Sequence, residues 1–184
     1  MTRYLVVSAV AGEAKYVPDA IPVVLTGVGK TAAAVATAKA LAGTDTTDLV
    51  VLNVGTTGAL KDGLAGLYLP SQVLNHDVNA DALRGLGLPM ADILPIEGGD
   101  GTVLASGDVF VADPVLRDRL AERADLVDME AYGVVYACRE FGVRVRLVKH
   151  VSDSADDTAL DWPAQVDASA KVLAEWVRQE TGIS

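Results

Sequence analysis

Cysteine, histidine and phenylalanine are scarce: the 184 residues include one Cys, two His and two Phe. A lone Cys138 excludes an internal disulfide framework. It sits in an apolar stretch with no histidine near it in sequence, which reads as a buried thiol rather than a nucleophile. Positive charge is also short, with 15 Lys and Arg against 25 Asp and Glu and a formal net charge of −10. The cations are scattered among acids and form no basic face, which argues against a nucleic-acid partner. Mean hydropathy is +0.31, yet no run approaches the ~18–20 apolar residues of a membrane span. Met1–Val10 offers one Arg and then a strand-length apolar run, not a cleavable signal pattern. The expectation is a soluble, cytoplasmic protein that engages neither membrane nor nucleic acid. There is no repeat, low-complexity segment or linker, so residues 1–184 read as one domain with enough apolar content for a core.

What the chain does contain is strand-like runs alternating with helical patterns. Tyr4–Val10 is continuously apolar, as a strand buried on both faces would be. Ile21–Thr26 is a second strand, followed by Gly27-Val28-Gly29-Lys30 and an alanine-rich helix over Thr31–Leu41 closed by Gly43. Leu49–Val54 is a third strand, leading into what reads as a Gly-Thr-Thr-Gly turn at 55–58. Leu67–Leu74 and Thr102–Ala105 are further strands. Arg84–Gly101 is a Gly- and Pro-rich loop with a short strand at Ala91–Ile96. Pro114–Arg123 is a helix with proline in its first turn. Ala124–Met129 is a strand running into a helix over Ala131–Phe141, with Val134, Val135, Ala137 and Cys138 at core-facing spacing. Val143–Val151 is a strand with Arg144, Arg146 and Lys149 interleaved. Asp161 caps a last helix that carries Pro163 in its first turn and Val166, Ala170, Leu173 and Val177 on one face. This alternation predicts an α/β fold with a largely parallel sheet.

Two tempting motifs fail. Gly29-Lys30-Thr31 suggests a P-loop, but the glycine required five residues earlier is Val24, inside a strand. Ser152–Asp157 is rich in acids after a strand, but lacks the alternating spacing and closing glutamate of a calcium loop, so no metal is expected. The polar residues instead gather at strand ends, where an open α/β sheet places its ligands: Glu13, Asn53–Gly58, Asp128–Glu130 and Ser152-Asp153. Each has an ordinary reading too. Asp128 is placed to cap a helix, Glu13 and Glu130 to sit in positive first turns, and Phe110 to fill the core.

Six short motifs in order resemble the purine nucleoside phosphorylase superfamily, and most of all its 5′-methylthioadenosine/S-adenosylhomocysteine nucleosidases. They are Thr26-Gly27-Val28-Gly29-Lys30, Asn53-Val54-Gly55-Thr56-Thr57-Gly58, His76-Asp77-Val78, Ser106-Gly107-Asp108-Val109-Phe110, Asp128-Met129-Glu130-Ala131 and Val151-Ser152-Asp153. The resemblance implies a three-layer sandwich around a central mixed, largely parallel, twisted sheet, here shortened. It implies no cofactor, a homodimer, and hydrolysis of the N-ribosidic bond of a purine nucleoside, adenine being the expected base.

The resemblance also implies roles. Asp153 matches the acid that protonates or hydrogen-bonds purine N7, with Ser152 orienting it. Glu130 matches the carboxylate that binds the ribose hydroxyls, and Met129 packs against the sugar. Phe110 stacks on the base, and the Val111 backbone reaches the base edge. Glu13 positions or deprotonates the attacking water, with Thr56 beside it. Thr57, Gly58 and Asp128 complete the substrate site. Trp162 lies near where an aromatic lines the 5′ pocket, and reads equally well as an apolar residue in a helix's first turn. Three departures stand out. Glu13 is not in an acid-rich run, the Glu13–Gly27 segment is too short for the usual hairpin, and the loop after Asp77 is short. Two alternatives to hydrolysis remain at this level: phosphorolysis, and a shortened, silent nucleoside binder.

Overall fold

A computed structural model describes residues 2–155 and 162–183, and for 162–164 the backbone alone. Asp156, Asp157 and Asp161, named above, lie outside the described residues. Among the described residues nine strands form one sheet, ordered β2-β1-β3-β8-β7-β5-β6, with β9 pairing β3 and β4 pairing β9. The strands are β1 (Arg3–Ser8), β2 (Val23–Leu25), β3 (Leu49–Ala59), β4 (Leu67–Tyr68), β5 (Gln72–Asn75), β6 (Ile93–Pro95), β7 (Val103–Ser106), β8 (Leu126–Asp128) and β9 (Arg144–Asp153). The helices are α1 (Lys30–Ala42), α2 (Ala80–Gly85), α3 (Pro114–Ala121), α4 (Ala131–Glu140) and α5 (Trp162–Thr181). The sheet is mixed and largely parallel. β1–β2, β1–β3, β3–β9, β5–β7 and β7–β8 run parallel, whereas β3–β8, β4–β9 and β5–β6 run antiparallel.

Side-chain alternation assigns the layers. Leu5, Val7, Leu49 and Val51 pack with Ala33 and Leu41 of α1 and Val134 and Cys138 of α4. Their strand neighbours Val6, Val50, Leu52 and Val54 point the other way, onto Leu173 and Val177 of α5. Strands buried on both faces read as unbroken apolar runs for this reason. Cys138 is buried, and the loss of solvent pushes its thiol up to about 12. That makes it a poor nucleophile, as its sequence context indicated.

Several boundaries differ from the sequence reading. The single strand expected over Leu67–Leu74 is two strands, β4 and β5, parted at Pro70, which has no N–H for a ladder. The expected loop at 84–101 is preceded by an unforeseen helix, α2, capped by the Asn79 side chain accepting from Ala82 N–H. The Gly-Thr-Thr-Gly turn is no turn. β3 continues through it to Ala59, held by β9 on one side and β8 on the other. β9 likewise runs on through Ser152 and Asp153. Between β1 and β2 there are turns and no helix, so Glu13 is not in a helix's first turn.

Candidate active site

The extra length of β3 and β9 shapes the site. Their register slips between Thr57 and Gly58: Thr57 faces Val151, and Gly58 faces Asp153. Ser152 is therefore the extra residue of a bulge, which re-aims the side chain after it. Asp153 then lies against Gly58, where a Cβ would come within 3.0 Å of Asp153 Oδ1 and 2.9 Å of Ala155 Cβ. The absent side chain of Gly58 is the space that Asp153 uses. Ser152 Oγ donates to Asp153 Oδ2 at 2.7 Å, and Ala155 N–H donates to Oδ1 at 2.9 Å.

Glu13 comes from the turns after β1 and is 4% exposed. Its Oε1 accepts both the N–H and the hydroxyl of Thr56 at 2.7 Å, and its Oε2 accepts from Ser8 Oγ at 3.1 Å. The donors of Thr56 thus serve this carboxylate rather than standing open to a ligand. The Thr57 hydroxyl is likewise committed, to the Val127 carbonyl at 2.7 Å. Gly55 lies between these groups, where a Cβ would crowd both, 3.3 Å from Glu13 Oε1 and 3.4 Å from Lys149 Nζ.

Asp128 ends β8 and Glu130 precedes α4. Asp128 does cap that helix, accepting from Ala131 N–H at 3.1 Å. It also forms an ion pair with Lys149 at 2.8 Å, both side chains being 2% exposed. Glu130 makes no capping bond to its own helix. Instead Oε1 accepts from Gly29 N–H, at the start of α1, at 2.9 Å. Gly29 has φ of 100°, a conformation that favours glycine, and it aims the positive end of a helix at a carboxylate. That helix end is tied down in turn. Lys30 N–H donates to Asp108 Oδ1 at 2.7 Å, and Lys30 Nζ bonds Asn75 Oδ1 at 2.7 Å and pairs with Asp77. Burial, then the charge of Asp128, pushes Glu130 up to about 7. The Gly29 N–H and Lys149 oppose the rise, and Glu13 adds to it.

These groups line one cavity of about 200 Å³. Glu13, Thr56, Thr57, Gly58, Phe110, Val111, Asp128, Met129, Glu130, Ser152 and Asp153 all border it, together with Ala9, Val10, Val28, Val109 and Val127. Val28, Val109 and Phe110 are about half exposed, at 59%, 47% and 51%, so a core-filling role does not describe Phe110. Trp162 contributes the first residue of α5, and its side chain lies outside the described residues. Among the described residues no cluster of His, Cys, Asp and Glu has the form of a metal site. The sequence reading missed Ser8, the Gly29 N–H and Lys149. Lys149 shares its face of β9 with Val145 and Leu147, and Arg144 and Arg146 share the other with the fully buried Val148, so parity alone does not mark it.

A family model, the phosphorylase superfamily, matches residues 100–180. A 5′-methylthioadenosine/S-adenosylhomocysteine nucleosidase of Buchnera aphidicola is 28% identical over 135 residues, 60% of this chain and 54% of that protein's length. An aminodeoxyfutalosine nucleosidase of Helicobacter pylori is 27% identical over 166 residues, 72% of this chain and 71% of its own. In fold, the chain superposes on a mutant 5′-methylthioadenosine/S-adenosylhomocysteine nucleosidase of Helicobacter pylori holding 5′-methylthioadenosine, with a TM-score of 0.86 at 20% identity over 99% of both chains. The resemblance read from the six motifs is therefore carried by sequence and fold together: the chain resembles the phosphorylase superfamily, and within it the 5′-methylthioadenosine/S-adenosylhomocysteine nucleosidases.

Proposed function

We propose that the chain is an N-glycosyl hydrolase that cleaves the N-ribosidic bond of an adenine nucleoside such as 5′-methylthioadenosine or S-adenosylhomocysteine. The observation that carries this reading is the convergence of Glu13, Glu130 and Asp153 on one cavity bordered by Phe110 and Met129. Breaking such a bond needs an acid for the leaving base, negative charge beside the developing ribosyl cation, and a base for water. Asp153 serves the purine N7, oriented by Ser152 and the Ala155 N–H. Glu130 takes the ribose hydroxyls and, when ionised, faces the growing positive charge. Glu13 accepts the proton of the attacking water, while Thr56 and Ser8 hold its carboxylate still. The base lies on Phe110 with its edge toward the Val111 backbone.

The test is release of free adenine from a panel of methylthioadenosine, adenosylhomocysteine, 5′-deoxyadenosine, adenosine and futalosine. Absence of free base from every member would sink the reading. We infer further that the chain works as a homodimer in the cytoplasm. The apolar side chains exposed at the cavity mouth, Val28, Val109 and Phe110, favour a covering subunit. Light scattering is expected to give a dimer, and a fully active monomer would remove any partner from the pocket.

A further inference from the structure

Lys149 is among the largest fully buried side chains of the described residues. Its Nζ is 2.8 Å from Asp128. Glu13 and Lys149 both reach Gly55, each within 3.5 Å of where its Cβ would be. The groups that act on Glu130 come from every element around it. Asp128 ends β8, Glu13 follows β1, Lys149 is on β9, and the Gly29 N–H opens α1. His76, after β5, feels the charge of Asp128 in turn, and those of Asp77 and Lys30. The cluster thus holds three carboxylates around the buried ammonium of Lys149. Carboxylates so arranged retain protons unless a cation offsets their repulsion.

We propose that Lys149 is a positioning residue for the hydrolysis, which holds Asp128 and offsets its field at Glu130. The proposal rests on the nucleosidase reading, in which an ionised Glu130 faces the ribosyl cation. A lysine that served only to fill space would be replaced by methionine without moving the Glu130 titration.

The direct experiment is a ¹³C NMR titration of the Glu130 carboxyl in the wild type and in K149M, K149R and D128N, alongside the pH profile of kcat/KM. In K149M the Glu130 titration moves upward, and kcat/KM at neutral pH falls by about fivefold for a displacement of about one pH unit, since the ionised fraction at about pH 7 then drops from about a half to about a tenth. The loss is recovered as pH is raised. K149R keeps the cation and leaves the titration close to that of the wild type. D128N keeps the lysine, removes its partner and moves the titration downward, which provides the reading if K149M does not fold. A Glu130 titration that coincides in the wild type and K149M, or one that D128N leaves in place, overturns the proposal. A wild type that releases no free base overturns the nucleosidase reading instead, and the titration still decides whether Lys149 acts on the charge of Glu130.

Discussion

Asp153 works with two hydrogen bonds and one missing side chain. Replacing it by asparagine keeps the shape and removes the transferable proton, so D153N is expected to lose ~10²–10⁴-fold in turnover while still binding nucleoside. Steady-state rates together with calorimetric binding check this, and wild-type turnover in D153N would exclude the leaving-group role. Glu130 gives two pH predictions of related origin. In the proposed hydrolysis it acts ionised beside the ribosyl cation, so kcat/KM should fall as pH drops below about 7, the value to which burial and Asp128 push it. For stability the sign runs the other way. The folded-state value lies above the unfolded one, so the contribution is full below the ordinary carboxylate range and is lost as pH rises through about 7. E130Q should therefore lower kcat more than it raises KM, and its thermal midpoint should gain on the wild type as pH rises from 5 to 8. That range is chosen to span about one unit or more either side of the group's titration. An unchanged kcat with a raised KM would make Glu130 a ground-state binder only.

The pair α1 and α4 governs whether the site forms. Gly133 of α4 lies so close to α1 that a Cβ would overlap the Lys30 carbonyl oxygen and sit 3.1 Å from Ala34 N. These are backbone atoms and cannot rotate aside. G133A must therefore push the helices apart, at a cost of about 1–3 kcal/mol for overpacking. It would also displace the start of α1, where Gly29 N–H meets Glu130. A denaturation midpoint unchanged from the wild type, together with full activity, would contradict this coupling. At Gly107, after β7, the place of a side chain is filled by the His76 ring, a side chain rather than backbone. Segments that look like plain glycine turns are thus sites of close approach between elements.

Across the whole molecule, charge favours water over phosphate as nucleophile. Among the described residues no Lys or Arg borders the cavity, and four carboxylates do. Asn53, which precedes the Gly55–Gly58 stretch of β3, carries no charge, is buried and donates to the Val7 carbonyl at 3.1 Å. A dianionic nucleophile calls for guanidinium groups. Free adenine should therefore appear at the same rate with and without millimolar phosphate, and the sugar product should be the free ribose derivative. Formation of a sugar 1-phosphate, or dependence on added phosphate, would replace hydrolysis by phosphorolysis.

The alternation of apolar runs with helical patterns determined the α/β class, because strands buried on both faces need continuous apolar sequence, whatever their order in the sheet. Local chemistry also marked Glu13, Asp128, Glu130 and Asp153, since acids at strand ends are legible without coordinates. Only the tertiary structure decided how those acids are used. The bulge at Ser152 that turns Asp153 toward Gly58 depends on the pairing of β3 with β9, which are far apart in sequence. The charge environment of Glu130 is set by burial and Asp128, opposed by the Gly29 N–H ahead of α1 and by Lys149 on β9. Arg144, Arg146 and Lys149 look alike along one strand, yet of the three Lys149 alone is fully buried, on the face where β8 brings Asp128 to meet it. A sequence lists donors and acceptors in order. Which of them meet in a water-poor cavity is fixed by strand register and helix packing, and those are properties of the whole chain.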